Sequence, residues 1–160
     1  MALSAGAVDG PRLESLSLLL ANVAEEMGAT LRRSAFSTNV VDRLDYSCVV
    51  CSRGPELLAQ AAHLPVHLGS MDTAVASALS EFPDLGPDDA CLLNDPYRGG
   101  SHLPDLTLVS GVRLEPRRRP VWFVASRAHH ADVGGSAPGS LAPARDLVAE
   151  GLVVPPVLLV

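Results

Sequence analysis

Gly99-Gly100-Ser101-His102-Leu103-Pro104-Asp105-Leu106-Thr107-Leu108-Val109-Ser110-Gly111-Val112 is the stretch on which the fold turns. Its first half is loop, because paired glycines let the backbone turn sharply and Pro104 holds the residue before it extended. Its second half, Leu106 to Val112, is a β-rich run, and Val121 to Ser126 is another. Between them, Arg117, Arg118 and Arg119 sit between Pro116 and Pro120 and read as a solvated turn joining two strands.

Further strands lie on either side. Tyr46-Ser47-Cys48-Val49-Val50-Cys51 is β-prone, and the turn Ser52-Arg53-Gly54-Pro55 returns the chain through Glu56 to Gln60 as a hairpin. Cys91-Leu92-Leu93 is a short apolar strand stopped by Asn94-Asp95-Pro96. Helices flank these runs. Leu13, Leu16, Leu20, Val23, Ala24, Met27 and Leu31 recur at spacings of three and four, the period of one buried helix face. Asp9 and Pro11 suit its start, and Arg32 and Arg33 suit the negative end of its dipole. A second helix is expected from about Ser70 to Phe82, with Met71, Val75, Ala78 and Leu79 inward and Pro83 to Pro87 ending it. A short helix near Arg145 to Glu150 precedes an apolar run from Leu152 to Val160, which calls for a partner strand or more chain. The expected class is α+β, with helices packed on a mixed, largely antiparallel sheet.

The chain has 160 residues, 48% of them apolar, which is enough for a core in a single domain. Twelve Lys and Arg stand against eighteen Asp and Glu, a net charge of -6 that offers no footprint for a phosphate backbone. Nucleic acid is therefore not an expected partner. No run approaches the ~20 apolar residues of a membrane span, and no charged segment precedes the first apolar stretch as in a secretory signal. A cytoplasmic protein with no membrane partner is the expectation. Cys48, Cys51 and Cys91 are an odd set that argues for reduced thiols. Cys48 and Cys51, three apart on a strand, point to opposite faces and do not easily share a zinc ion.

Polar residues gather where the β runs end. His102 and Asp105 flank Leu103-Pro104, and His129 and His130 follow the Val121 to Ser126 run, with Asp132 just beyond. Two imidazoles and a carboxylate suit Mn, Fe or Zn and leave positions open for water or substrate. Turn-forming aspartates and hydrogen-bonded core histidines would produce the same pattern. His63 and His67 are four apart, but Pro65 between them counts against a regular helix, so they either line a site or serve the core. Arg43 and Asp45 precede the first strand, as a salt-bridged pair or as polar groups facing a site. Gly134-Gly135-Ser136-Ala137-Pro138-Gly139-Ser140 can present backbone amides to an anion, but it lacks the Lys-Ser/Thr of a P-loop.

Taken in order, Arg43-Leu44-Asp45-Tyr46-Ser47-Cys48, His63-Leu64-Pro65-Val66-His67-Leu68-Gly69, Gly99 to Asp105, Ser126-Arg127-Ala128-His129-His130-Ala131-Asp132-Val133-Gly134-Gly135, Pro138-Gly139-Ser140 and Glu150-Gly151 resemble the hydantoinase B/oxoprolinase family. That resemblance covers nearly the whole chain, looks closest to the 5-oxoprolinase branch, and makes residues 1–160 the N-terminal portion of a larger domain. It implies ATP-dependent opening of a small cyclic amide, a 5-oxoproline or a hydantoin. The nucleotide is then used by a hydantoinase A-type partner in an oligomeric assembly and is not bound here. It also implies a divalent metal (Mn, Zn or Fe) on His102, Asp105 and His129. His129, His130 and Asp132 are the expected catalytic groups, with His129 and His130 unranked. Arg43, Asp45, His63, His67, Asp95, Gly134, Gly135 and Ser140 are the expected substrate contacts. A non-catalytic assembly module and an acetone-carboxylase-like component are the alternatives.

Overall fold

The structure, a computed structural model, describes residues 9–62, 67, 69–114, 120, 122–140 and 143–159. Its elements in chain order are α1 (Gly10–Ser34), α2 (Thr38–Val41), β1 (Tyr46–Ser52), β2 (Leu57–Ala62), α3 (Met71–Glu81), β3 (Ala90–Leu93), β4 (Asp105–Val112), β5 (Trp122–His129), α4 (Leu147–Glu150) and β6 (Val157–Leu159). The strands form one six-stranded sheet in the order β2-β1-β5-β4-β3-β6, and every pairing is antiparallel.

Strand alternation gives the sheet two different faces. On one, Val49 and Cys51 of β1, Phe123 and Ala125 of β5, Val109 of β4 and Cys91 and Leu93 of β3 pack against Met71, Ala74, Val75 and Ala78 of α3. On the other, Val50, Ala59 and Ala61 pack against Ala24 of α1, while Tyr46 and Cys48 meet Met27 and Leu31. The thiols of the C-x-x-C therefore lie on opposite sides of the sheet, as strand geometry requires. Burial pushes Cys48 up to about 12 and Cys51 and Cys91 to about 11.

Several boundaries differ from the sequence expectation. Strand β5 continues through Arg127 and Ala128 to His129, so His129 ends the strand and does not follow it. The register extends it, because β5 pairs β1 from Tyr46 and β4 from Asp105. The final apolar run finds its partner strand within the chain, as β6 pairs β3 at the sheet edge. Helix α1 covers only the β1–β2 side. It buries Ala24 and Gly28 and half-buries Leu20, Met27 and Leu31, whereas Leu13, Leu16 and Val23 of the expected inner face remain 57%, 52% and 43% exposed. Apolar spacing thus marks a broader face than the one α1 turns to β1 and β2. The Arg117 to Arg119 turn lies outside the described residues. Among the described residues, no helix is long and apolar enough to cross a membrane.

Since all three cysteines are buried and unpaired with raised thiol pKa values, the folded protein should react slowly with a thiol-specific reagent at neutral pH. Unfolding should expose all three. Fast modification of Cys48 or Cys51 in the native protein, read by mass spectrometry, would contradict this packing.

Candidate active site

Three neighbouring strands share one end, and the polar residues meet there. Asp105 is the first residue of β4, His129 is the last of β5, and the two are direct cross-strand partners. Asp45 immediately precedes β1, and its carbonyl accepts the His129 amide at 3.0 Å. Leu44 takes a left-handed backbone (φ 57), unusual for a branched side chain, as the chain turns into the strand.

The Asp105 carboxylate is the hub. Its Oδ1 accepts a hydrogen bond from His129 Nδ1 at 3.0 Å, and its Oδ2 accepts from the Ser101 hydroxyl at 3.2 Å and faces His67 Nε2 at 3.6 Å. Burial raises its pKa, but the hydrogen bonds and charges of His67 and His129 outweigh that and bring it down to about 2. The carboxylate stays ionised inside the protein. His67 is buried, bonds Ser47 Oγ through Nδ1 at 3.0 Å, and has Asp45 Oδ1 3.8 Å from its Nε2. The His102 ring stacks on that of His129, centroids 5.6 Å apart and planes at 27°, and His102 Nδ1 meets Glu150 Oε1 at 3.0 Å.

His102, Asp105, His129, His67 and Asp45 thus come together in one cluster. His130 does not. Strand alternation turns it away from Asp105; it is exposed, and partial burial of its ring followed by the charge of His129 lowers its pKa. Asp132 accepts the amides of Gly134 and Gly139, both at 2.8 Å, and so ties the glycine loop. The amides of Gly134, Ser136 and Gly139 all serve acceptors in the protein, so these three are not turned toward an anion. Gly135 is needed for packing. At φ 107 it lies so close to α4 that a Cβ would fall 2.6 Å from the Glu150 carbonyl oxygen. Ser140 ends the short turn that begins at Pro138. Asp95 is a turn former whose Oδ1 accepts the Tyr97 amide. Arg43 is exposed and forms no ion pair with Asp45, which faces His67 instead. His63 lies outside the described residues.

Two buried residues hold this cluster in place, and the sequence motifs did not single out either as functional. Asn94, fully buried, donates through Nδ2 to the carbonyls of Leu103 (2.7 Å) and Leu152 (2.9 Å) and accepts the Val154 amide at 2.6 Å. It clamps the His102 loop to the chain beyond α4. Gly100 permits the loop to pass over it, since a Cβ there would lie 2.0 Å from the Asn94 carbonyl oxygen. Arg127, also fully buried, donates to Thr107 Oγ1 at 2.7 Å, to Ser70 Oγ, and to the Gly99 carbonyl at 3.3 Å. Burial lowers its pKa, and the negative charge of Asp105 opposes that. The available signal was its parity with Phe123 and Ala125, a charged residue at an inward-facing position of a strand.

Among the described residues, no three His, Cys, Asp or Glu side chains form a preformed cage for a metal ion. Asp105 is already bonded to His129. The Nε2 atoms of His102 and His129 have no hydrogen-bond partner among the described residues. A groove of about 490 Å³ beside α1, lined by Met27, Leu31, Cys48 and Ser126, lies on the opposite face of the sheet from Ser47 and Arg127 and takes no part in this cluster.

The helices and six-stranded antiparallel sheet that carry this cluster are shared with a known family and with solved structures. The hydantoinase B/oxoprolinase family model matches residues 9–160, and the chain belongs to that family. It is 47% identical to 5-oxoprolinase 1 of Arabidopsis thaliana over 76% of this chain and 10% of that protein. It is 40% identical to 5-oxoprolinase of Saccharomyces cerevisiae over 92% of this chain and 12% of that protein. The ATP-dependent caprolactamase from Pseudomonas jessenii superposes with a TM-score of 0.83 at 31% identity, over 96% of this chain and 27% of that one. The chain thus spans about a tenth of the length of these curated relatives and about a quarter of that solved chain.

Replacing Arg127 by Lys should lower stability by about 2 kcal/mol or more, because one ammonium cannot reach three diverging acceptors and leaves buried oxygens unpaired. Urea unfolding of the variant measures this. A midpoint equal to the wild type would mean that Arg127 does not hold these three segments.

Proposed function

We propose that this chain forms the carbonyl-activating part of an ATP-dependent cyclic-amide hydrolase of the 5-oxoproline or hydantoin type. It acts with a hydantoinase A-type subunit or domain that binds and uses the ATP. The observation that carries this reading is the Asp105 carboxylate at the shared end of β1, β5 and β4, with His129 bonded to it and His102 stacked on His129. The names of the relatives, 5-oxoprolinase and ATP-dependent caprolactamase, support a cyclic amide as the substrate class.

The donor set suits a borderline divalent ion such as Mn, Zn or Fe: two imidazoles, each with Nε2 unengaged among the described residues, beside one ionised carboxylate. His102 and His129 would hold it through Nε2, while Asp105, expected as a third ligand, is bonded to His129 Nδ1 on the far side of that ring and would orient the imidazole; when bound, the ion would supply Lewis-acid polarisation of the ring carbonyl or of its phosphorylated form. The protein's own groups do the rest. Asp105 takes the Nδ1–H of His129 and so fixes the tautomer whose lone pair is on Nε2, the form able to bind an electrophile or accept a proton. His130, with its lowered pKa, is a neutral imidazole at physiological pH and a second proton acceptor at the exposed side. Asp132 holds the Gly134–Gly139 loop in shape. Arg43, exposed next to Asp45, is the cation for a substrate carboxylate.

The test is reconstitution of the protein with its ATP-using partner and a divalent metal, with 5-oxoproline or hydantoin as substrate. Ring opening should require ATP, and His129→Ala should reduce kcat by roughly 10²–10⁴-fold. No opening of any cyclic amide, or a His129→Ala variant as fast as the wild type, would overturn the assignment. Consumption of acetone and bicarbonate instead would move the site to carboxylation chemistry.

A further inference from the structure

Two stacked imidazoles each present Nδ1 to a carboxylate: His129 to Asp105 and His102 to Glu150, both at 3.0 Å. Asp105 shares a motif with His102, whereas Glu150, in the Glu150-Gly151 pair that also carries the family resemblance, lies 48 residues away from its histidine in sequence. We infer that Glu150 is a positioning residue for His102. Its carboxylate accepts the Nδ1 proton, fixes the tautomer with the lone pair on Nε2, and aims that nitrogen into the site shared with His129. This rests on the reading above that His102 works in that site.

The His102 ring is half-exposed, but the backbone on both sides of the pair is tightly fixed. Glu150 ends α4, a single helical turn closed by the Asp146 carboxylate, which accepts the Ala149 amide at 2.8 Å. The Glu150 amide donates to the Asp146 carbonyl at 3.1 Å, and the Gly151 amide donates to that of Leu147 at 3.0 Å. The Ala149 carbonyl accepts both the amide (2.9 Å) and the hydroxyl (3.1 Å) of Ser136. Gly135 packs directly on the Ala149 and Glu150 carbonyls, where no Cβ fits. The Leu152 amide then bonds the Val133 carbonyl at 2.9 Å. On the histidine side, Asn94 binds the Leu103 carbonyl next to His102 and, through the same side chain, Leu152 and Val154 just beyond Glu150. One buried amide thus fixes the spacing between the loop that carries the imidazole and the turn that carries the carboxylate. A surface pair that only gained Coulomb energy would need none of this, because such pairs contribute little and tolerate movement. Two carboxylate-backed imidazoles offering Nε2 lone pairs side by side form a directional site for a divalent cation or another electrophile.

The direct test is histidine ¹⁵N NMR of the metal-free protein at a pH where imidazoles are neutral, comparing wild type with Glu150→Ala and Glu150→Gln. Wild-type His102 should carry its proton on Nδ1. Glu150→Ala should shift it toward the Nε2–H form that an unconstrained imidazole prefers. Glu150→Gln, whose amide oxygen still accepts, should retain the wild-type pattern, and His129, held by Asp105, should not change in either variant. Titration with Mn²⁺ or Zn²⁺ should then show affinity about 10–100-fold weaker in Glu150→Ala than in Glu150→Gln. An Nε2–H tautomer for His102 in the wild type, an unaltered tautomer in Glu150→Ala, or equal metal affinities in the two variants would each overturn the inference. Should Glu150→Ala fail to fold, the wild-type and Glu150→Gln tautomers still decide it. A wild-type protein that binds no metal would count against the metal reading of the site and leave the tautomer result to judge Glu150.

Discussion

The register between β4 and β5 is the constraint on which the site depends. With Asp105 opposite His129 and Thr107 opposite Arg127, the ladder sets a carboxylate beside an imidazole and a hydroxyl beside a guanidinium on the same face. A slip of one residue would bring His130 or Ala128 opposite Asp105 and turn His129 to the other face of the sheet. The Thr107–Arg127 pair resists such a slip, since the guanidinium also binds Ser70 before α3 and the Gly99 carbonyl of the loop leading to His102. Helix, strand and loop are therefore aligned through one buried cation.

Burying charge is costly unless partners compensate, and the α3 face of the sheet shows how that is managed. Arg127 and Asp105 bring opposite charges to neighbouring strand positions, and the remaining donors and acceptors are met by Thr107, Ser70, Ser101 and two imidazoles. Among the described residues, the α1 face carries no buried charged group, and Tyr46, Cys48 and Val50 pack there on apolar helix residues. The Cys48-x-x-Cys51 pair divides between them, each thiol buried in its own apolar cluster.

Much of the fold was readable from local pattern. The β1–β2 hairpin, α3, β3, β4 and the short α4 follow from alternation, helical spacing and turn residues at Gly, Pro and Asn-Asp, because these signals depend on neighbours a few residues away. The inner face of α1 was only half legible, since apolar spacing marks a face but not how much sheet lies beneath it. In the site, His102, Asp105 and His129 stood out by residue type and position. Asn94 read as a turn residue, and Glu150, though quoted in the Glu150-Gly151 pair, could not be matched to His102 across 48 positions.

The sequence by itself determined which residue types exist to bind and react, where the chain must turn, and that Cys48 and Cys51 cannot face each other along a strand. Only the tertiary structure decided that His129 and not His130 faces Asp105, that the Gly134, Ser136 and Gly139 amides are used internally, and that the Glu150 carboxylate meets His102. The physical reason is that register, strand parity and burial are set by pairing between segments distant in the chain, and a side chain's hydrogen-bond partner is known only once those segments have docked.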